Sequence, residues 1–176
     1  YRGAHLICVP ETHFELLHYG DLGIHAATEP ASWDKEDFML HIRTKICGVE
    51  KDNQVIYQIF DEDGKEVASA ARPADSPDTS IPLYKPHRWD IKNSYQYTLK
   101  ALIMRNNECL DEVELKFGVR TFCCDPGRGF LINGNCVPLR GVSRHQDKLY
   151  QGNALTKEDH IRDAELIEEI LSLIHI

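Results

Sequence analysis

The chain has 176 residues, of which 42% are hydrophobic and 27% charged, and a formal net charge of −8 at pH 7. That composition suits a globular protein of one ordinary domain plus part of another. The acidic balance and the lack of a basic run argue against a nucleic-acid or anionic-membrane partner, and no apolar stretch approaches the ~20 residues of a membrane-spanning helix.

His5 to Val9 is a short apolar run stopped by Pro10, read as a lone strand that closes a preceding domain. Phe14 to His25 opens the next. Phe38, Leu40, Ile42, Thr44 and Ile46 alternate with Met39, His41, Arg43 and Lys45, the period-two signature of a half-buried strand. Val55, Tyr57 and Ile59 repeat it with Ile56 and Phe60 opposite, which predicts a strand covered on both sides. Asp61 to Lys65 is a turn in which Gly64 can take positive φ, and Val67 to Ala71 returns. Pro73, Pro77, Pro82 and Pro86 keep the following section out of central strands. Tyr95, Tyr97, Leu99, Ala101 and Ile103 alternate again, Asn106-Asn107 turns the chain, and Val113, Leu115, Phe117 and Val119 come back. Strands at this spacing, with no helical period, predict a β-sandwich over residues 10–121.

Cys123 to Arg128 reads as a linker, and Gly129–Ile132 with Cys136–Leu139 as a hairpin around Asn133-Gly134. Val137 to Val142 is apolar or small enough for a buried strand, and Ser143-Arg144-His145-Gln146-Asp147 places polar and titratable groups at its end. Thr156 is a good helix N-cap, with Glu158 and Asp159 in the first turn. Ile161, Ala164 and Ile167 then share one face, with Lys157, Arg162, Glu165 and Glu169 exposed.

Cys8, Cys47, Cys109, Cys123, Cys124 and Cys136 form no CxxC pair, so they read as free thiols of a reducing, cytoplasmic compartment, not as a zinc site. The chain begins at Tyr1 and not at Met, so any signal peptide would lie upstream. His13, His18, His25 and His41 have no convergent spacing. His160 and Asp163 stand at i and i+3, a spacing able to hold a metal, but read as a solvated or packed helix face. Trp33 and Trp89, able in principle to stack on a sugar, read as core or interface residues.

The stretch RGVSRHQD (140–147), followed by GNALTKEDHIRDAELI (152–167), resembles the opening of the catalytic barrel of family 2 glycoside hydrolases, the β-galactosidase branch in particular. The family text is close to RGVNRHQD, then GNAL, then an E-x-H-x-x-D-x-x-L-I helix. Trp89 with Tyr95-x-Tyr97-x-Leu99 resembles the W…PYLYTL strand of the family's immunoglobulin-like domain, with Ser94 where the family has Pro. Phe117-Gly118-Val119-Arg120 resembles its closing FGFR, and Tyr1-Arg2-Gly3 the end of the sugar-binding jelly roll before it. The resemblance covers nearly the whole chain and is most specific from Phe117 to Ile170.

The resemblance implies a mainly β fold: an immunoglobulin-like sandwich followed by a truncated first βα unit of a (β/α)8 barrel, whose active site lies at the C-terminal ends of the strands. The implied divisions are 1–9, the last jelly-roll strand; 10–121, the sandwich; and 122–170, the start of the barrel. Leu171 to Ile176 (LSLIHI) departs from the family text and matches a translated sequencing-adapter end, so 171–176 is expected to be non-native. A retaining glycosidase needs two carboxylates about 5 Å apart. The family draws both from later strands, and the only Asn-Glu pair here, Asn107-Glu108, falls in a hairpin turn. No catalytic residue is therefore expected in this chain, and the chain alone is expected to be inactive.

His145 is the position the resemblance assigns to the substrate site, beside the bound sugar. Arg144 is expected to pair with barrel carboxylates that orient the site, and Asp147 to touch substrate or cap the following loop. Full-length members often use Mg and Na ions, but no metal ligand is assigned in this chain. The implied parent acts on terminal β-galactosides and is a homo-oligomer, with no nucleic-acid or membrane partner. Two alternatives stand beside it: a free-standing carbohydrate-binding or adhesion sandwich, and a β-glucuronidase or β-mannosidase parent of the same domain order.

Overall fold

A computed structural model describes residues 6–16, 22–31, 36–139 and 141–173, with side chains described up to residue 170. Tyr1-Arg2-Gly3, His18, Trp33 and Arg140 lie outside the described residues, as do the last three residues of the expected non-native tail. In chain order the strands are β1 (His13–Phe14), β2 (Ile24–Pro30), β3 (Phe38–Thr44), β4 (Ile46–Cys47), β5 (Gln54–Phe60) and β6 (Glu66–Pro73). β7 (Thr79–Leu83), β8 (Tyr97–Arg105), β9 (Glu108–Phe117), β10 (Phe122–Asp125), β11 (Gly129–Ile132) and β12 (Asn135–Cys136) follow, and then helix α1 (Lys157–Leu173).

A three-stranded sheet, β2-β3-β7, and a four-stranded sheet, β6-β5-β8-β9, are antiparallel throughout. The period-two pattern decides what they bury. Phe38, Leu40 and Ile42 of β3 share one buried cluster with Val55, Tyr57 and Ile59 of β5 and Leu99, Ala101 and Ile103 of β8. Each fully buried large side chain of this kind stabilises by about 1.5–3 kcal/mol. Tyr57, fully buried, satisfies its hydroxyl by a 2.7 Å hydrogen bond with the Thr44 hydroxyl and by donating to the Pro77 carbonyl at 2.9 Å.

The turns follow their residues. Asn106 (φ 48°) and Asn107 (φ 68°) join β8 to β9, and Asn133 (φ 50°) and Gly134 (φ 83°) join β11 to β12, the doubly left-handed backbone that two-residue hairpins require. Gly118 matters for a different reason. A Cβ there would lie 2.8 Å from Trp89 Cβ, so only glycine lets the half-buried indole close on this strand end, where Trp89 N–H also donates to the Val119 carbonyl at 2.9 Å.

Several expectations change. The proline-broken section contains β7, with Thr79, Ile81 and Leu83 buried. It is tolerated because β7 is an edge strand. Ile56 and Phe60 are only half-buried, so β5 is fully covered on one side alone. The expected linker begins as strand β10, where Cys123 and Cys124 pair with Leu131 and Phe130 of β11. Leu6–Val9 and the described part of Val137–Val142 form no strand. A strand needs a neighbour for its N–H and C=O groups, and among the described residues neither run has one. The helix face bearing Ile161 (48% exposed) is likewise uncovered by the described residues, although Ile167 is half-buried. The chain divides into two compact units, Cys8–Cys136 and Tyr1–Ile7 with Val137–Ile176. The first includes β10–β12.

Candidate functional site

The site-bearing segment is built from helix α1 outward. Thr156 Oγ1 accepts the Asp159 N–H at 3.3 Å, while the Asp159 carboxylate accepts the Thr156 N–H at 2.8 Å. This is a reciprocal cap that leaves neither donor orphaned. Asp159 also reaches backward: Lys148 Nζ donates to its Oδ1 at 2.8 Å and Gln151 Nε2 to its Oδ2 at 3.0 Å. The bond from Lys148, followed by those from Thr156, holds the Asp159 carboxyl well below the usual carboxylate range.

The chain between Lys148 and Gly152 closes on itself, with Lys148 N–H donating to the Gly152 carbonyl at 3.1 Å and Gly152 N–H to the Lys148 carbonyl at 2.9 Å. Tyr150, at φ 68° and 99% exposed, takes the left-handed conformation that closure requires. A bulky residue there is uncommon and costs local strain.

One turn further along α1, Asp163 accepts from Arg144 through Nε at 2.8 Å and through Nη2. Arg144 Nη1 donates to His160 Nδ1 at 3.1 Å, which requires that ring nitrogen to be unprotonated. Lys148 Nζ stands 3.6 Å from the other Asp163 oxygen. The Arg144 bonds hold the Asp163 carboxyl below its ordinary range. Arg144 and Asp163 are 24% and 23% exposed, so the pair is better shielded than an ordinary surface bridge.

Of the three residues assigned to the substrate site, the structure engages Arg144 with a helix carboxylate and leaves His145 and Asp147 exposed on the loop. His160 and Asp163, spaced as metal ligands could be, instead meet the Arg144 guanidinium through His160 Nδ1 and Asp163 Oδ2. Among the described residues no group of three or more His, Cys, Asp or Glu could hold a metal ion. Sequence reading missed Lys148 and Asp159 as partners. The signal was the charge pattern Lys148, Asp159, Asp163, which sequence separation alone does not bring together.

The other chemistry-bearing residues lie in the sandwich. His41 bridges Ser80 Oγ through Nδ1 and Glu29 Oε1 through Nε2, each at 2.8 Å, in a row across β2, β3 and β7. The His41 and Glu29 side chains are 38% and 66% exposed, and such solvated cross-strand pairs are worth little. Glu108 follows the β8–β9 turn at the first position of β9. Trp89 is half-buried beneath Arg120, whose guanidinium lies 4.8 Å from the ring centroid. All six cysteines are free thiols.

The model of the glycosyl hydrolases family 2 matches residues 27–120. A β-galactosidase of Bacteroides ovatus is 28% identical over 164 residues, 88% of this chain and 19% of that protein. A β-glucuronidase of Bacteroides fragilis is 28% identical over 180 residues, 97% of this chain and 26% of its own length. Among solved structures, an FMN-binding β-glucuronidase from Faecalibacterium prausnitzii L2-6 is 44% identical with a TM-score of 0.83, over 92% of this chain and 25% of that one. The chain thus spans about a fifth to a quarter of the length of these three relatives.

Proposed function

Because the chain belongs to glycosyl hydrolases family 2, we propose that it is the sandwich and the opening of the catalytic unit of a retaining β-glycosidase acting on terminal β-galactosides. In this reading His145 donates hydrogen bonds to the bound sugar as positive charge develops at the reacting carbon. Arg144 does not touch the sugar but holds the loop that carries His145. The two catalytic carboxylates, which retention requires about 5 Å apart, come from the parent outside this chain, as do its metal sites. The parent is a cytoplasmic homo-oligomer.

The observation that carries the reading is the contrast between adjacent side chains: Arg144 locked onto α1 through Asp163, and His145 exposed beside it. A locked neighbour lowers the conformational cost of presenting an imidazole to a ligand. A second reading, a β-glucuronide substrate, is favoured by the 44% identity to the F. prausnitzii enzyme.

The test is hydrolysis by the protein of the intact locus, with chromogenic β-galactoside and β-glucuronide side by side. Turnover of the galactoside supports the first reading and turnover of the glucuronide the second. Turnover of neither overturns both.

A further inference from the structure

We propose that the sandwich carries a binding pocket for a neutral hexopyranoside. A concavity of about 430 Å³ is bounded by Asp61, Ser69, Tyr84, His87, Tyr95 and Tyr97, within the roughly 300–1,000 Å³ typical of small-molecule sites. A pyranose has an apolar C–H face and a rim of hydroxyls. It therefore suits a pocket with aromatic rings on one side and hydroxyl and carboxylate groups on the other.

The aromatic side is preorganised. His87 and Tyr95 lie with ring centroids 4.7 Å apart, and Tyr95 meets Tyr97 edge-on at 5.1 Å. His87 N–H donates to the Tyr97 hydroxyl at 2.9 Å, which ties the loop to a buried ring. Tyr84 is 77% exposed on a segment stiffened by Pro82 and Pro86. The next residue, Lys85, is held at φ 43° with its N–H donated to Asp37 Oδ1 at 3.0 Å. A lysine in the left-handed region is costly and persists where its surroundings enforce it. The outcome is an aromatic ring at the rim carried on a backbone with little freedom left to lose on binding.

The polar side is also fixed. Asp61 Oδ1 accepts the N–H groups of Asp63 at 3.1 Å and Lys65 at 2.8 Å, and a carboxylate retains a second oxygen able to accept from sugar hydroxyls. Ser69 adds a hydroxyl that both donates and accepts. The charge selects the sugar class. Two carboxylates, Asp61 lining the pocket and Glu36 at 3.2 Å from Lys85 Nζ, stand against the one lysine, so the surroundings of the cavity are acidic. A uronate would meet like charge, and a neutral hexose would not.

That the ligand is a sugar rests on the proposed function, and failure of this inference leaves hydrolysis by the parent untouched. The experiment is a titration of the 176-residue chain with methyl β-D-galactopyranoside, followed by amide chemical shifts. Saturable shifts at residues 61, 69, 84, 85, 87 and 95–97 are expected, with affinity reduced about tenfold in Tyr84→Ala. Tyr84 is exposed enough for that variant to keep its fold, and unchanged shifts elsewhere check it. No saturable shift up to the solubility limit of the sugar overturns the site. Equal binding of glucuronate overturns the charge selection, and equal binding by Tyr84→Ala overturns the platform.

Discussion

The Arg144 guanidinium is held by the Asp163 carboxylate, nineteen positions further along the chain, through both Nε and Nη2. A planar fork on a carboxylate fixes direction as well as distance, which a lysine cannot reproduce. The residue beside a candidate sugar contact is thus referenced to a helix. In the intact enzyme Asp163→Ala is expected to lower kcat by about 10²-fold, the scale of a small misplacement of a reacting-site group, with KM changing less. Asp163→Glu should recover part of the loss. Steady-state kinetics of the variants check this. Equal rates in wild type and Asp163→Ala would remove the positioning role.

The same network sets an acid limit for the segment. Asp159 and Asp163 both have carboxyl groups held below their ordinary range, Asp159 first by Lys148 and Asp163 first by Arg144. Groups depressed in the folded state contribute stability that is fully present above the unfolded value of about 3.9. That stability is lost as pH falls through the depressed folded values. Amide-exchange protection across 157–170 is expected to be flat from neutrality down to the ordinary carboxylate range and to fall below it. In Asp159→Asn that fall should be smaller, from a lower starting protection.

Removing the cap acts locally. Thr156→Ala deletes the oxygen that accepts the Asp159 N–H, which should cost the first turn of α1 about 1 kcal/mol. Exchange rates of the amides at 158–160 should rise several-fold, with the sandwich amides unchanged.

Gly118→Ala brings a Cβ within 2.8 Å of Trp89 Cβ and 2.9 Å of Trp89 Cγ. Overpacking of this kind costs about 1–3 kcal/mol. Chemical denaturation should show a lower midpoint at an unchanged slope.

Tyr57→Phe leaves the Thr44 hydroxyl and the Pro77 carbonyl without the buried partner each now has, at about 1–3 kcal/mol. Burial, the largest cause, pushes the Tyr57 phenol up from 10.0 to about 12. The unfolded chain therefore ionises first. The contribution is fully present below pH 10.0 and is lost as pH rises toward about 12. Alkaline unfolding of the sandwich should be less steep in Tyr57→Phe.

Legibility in the sequence followed the range of the interaction. Phe38-Leu40-Ile42 and Tyr97-Leu99-Ala101-Ile103 announced their buried sides, because period two is a local property of a strand. Asn106-Asn107 and Asn133-Gly134 announced their turns for the same reason. β7 was hidden because an edge strand tolerates Pro82, whereas a run of prolines argues against any strand. The Val137–Val142 strand was expected from its apolar text, but ladders are made by partners, and none stands beside it among the described residues. At the site, Thr156 was legible as the helix N-cap and Asp159 as a first-turn acid, but not their reciprocal bond. The ties from Lys148 to Asp159 and from Arg144 to Asp163 span eleven and nineteen positions, too far for a local pattern to show.

The most direct measurement is hydrolysis of a chromogenic β-galactoside by the purified 176-residue chain beside the protein of the intact locus and its His145→Ala variant. The intact protein should turn over, His145→Ala should be slower by roughly 10²-fold, and the 176-residue chain should give no rate above background. Hydrolysis by the 176-residue chain itself, or an undiminished rate in His145→Ala, would contradict the account.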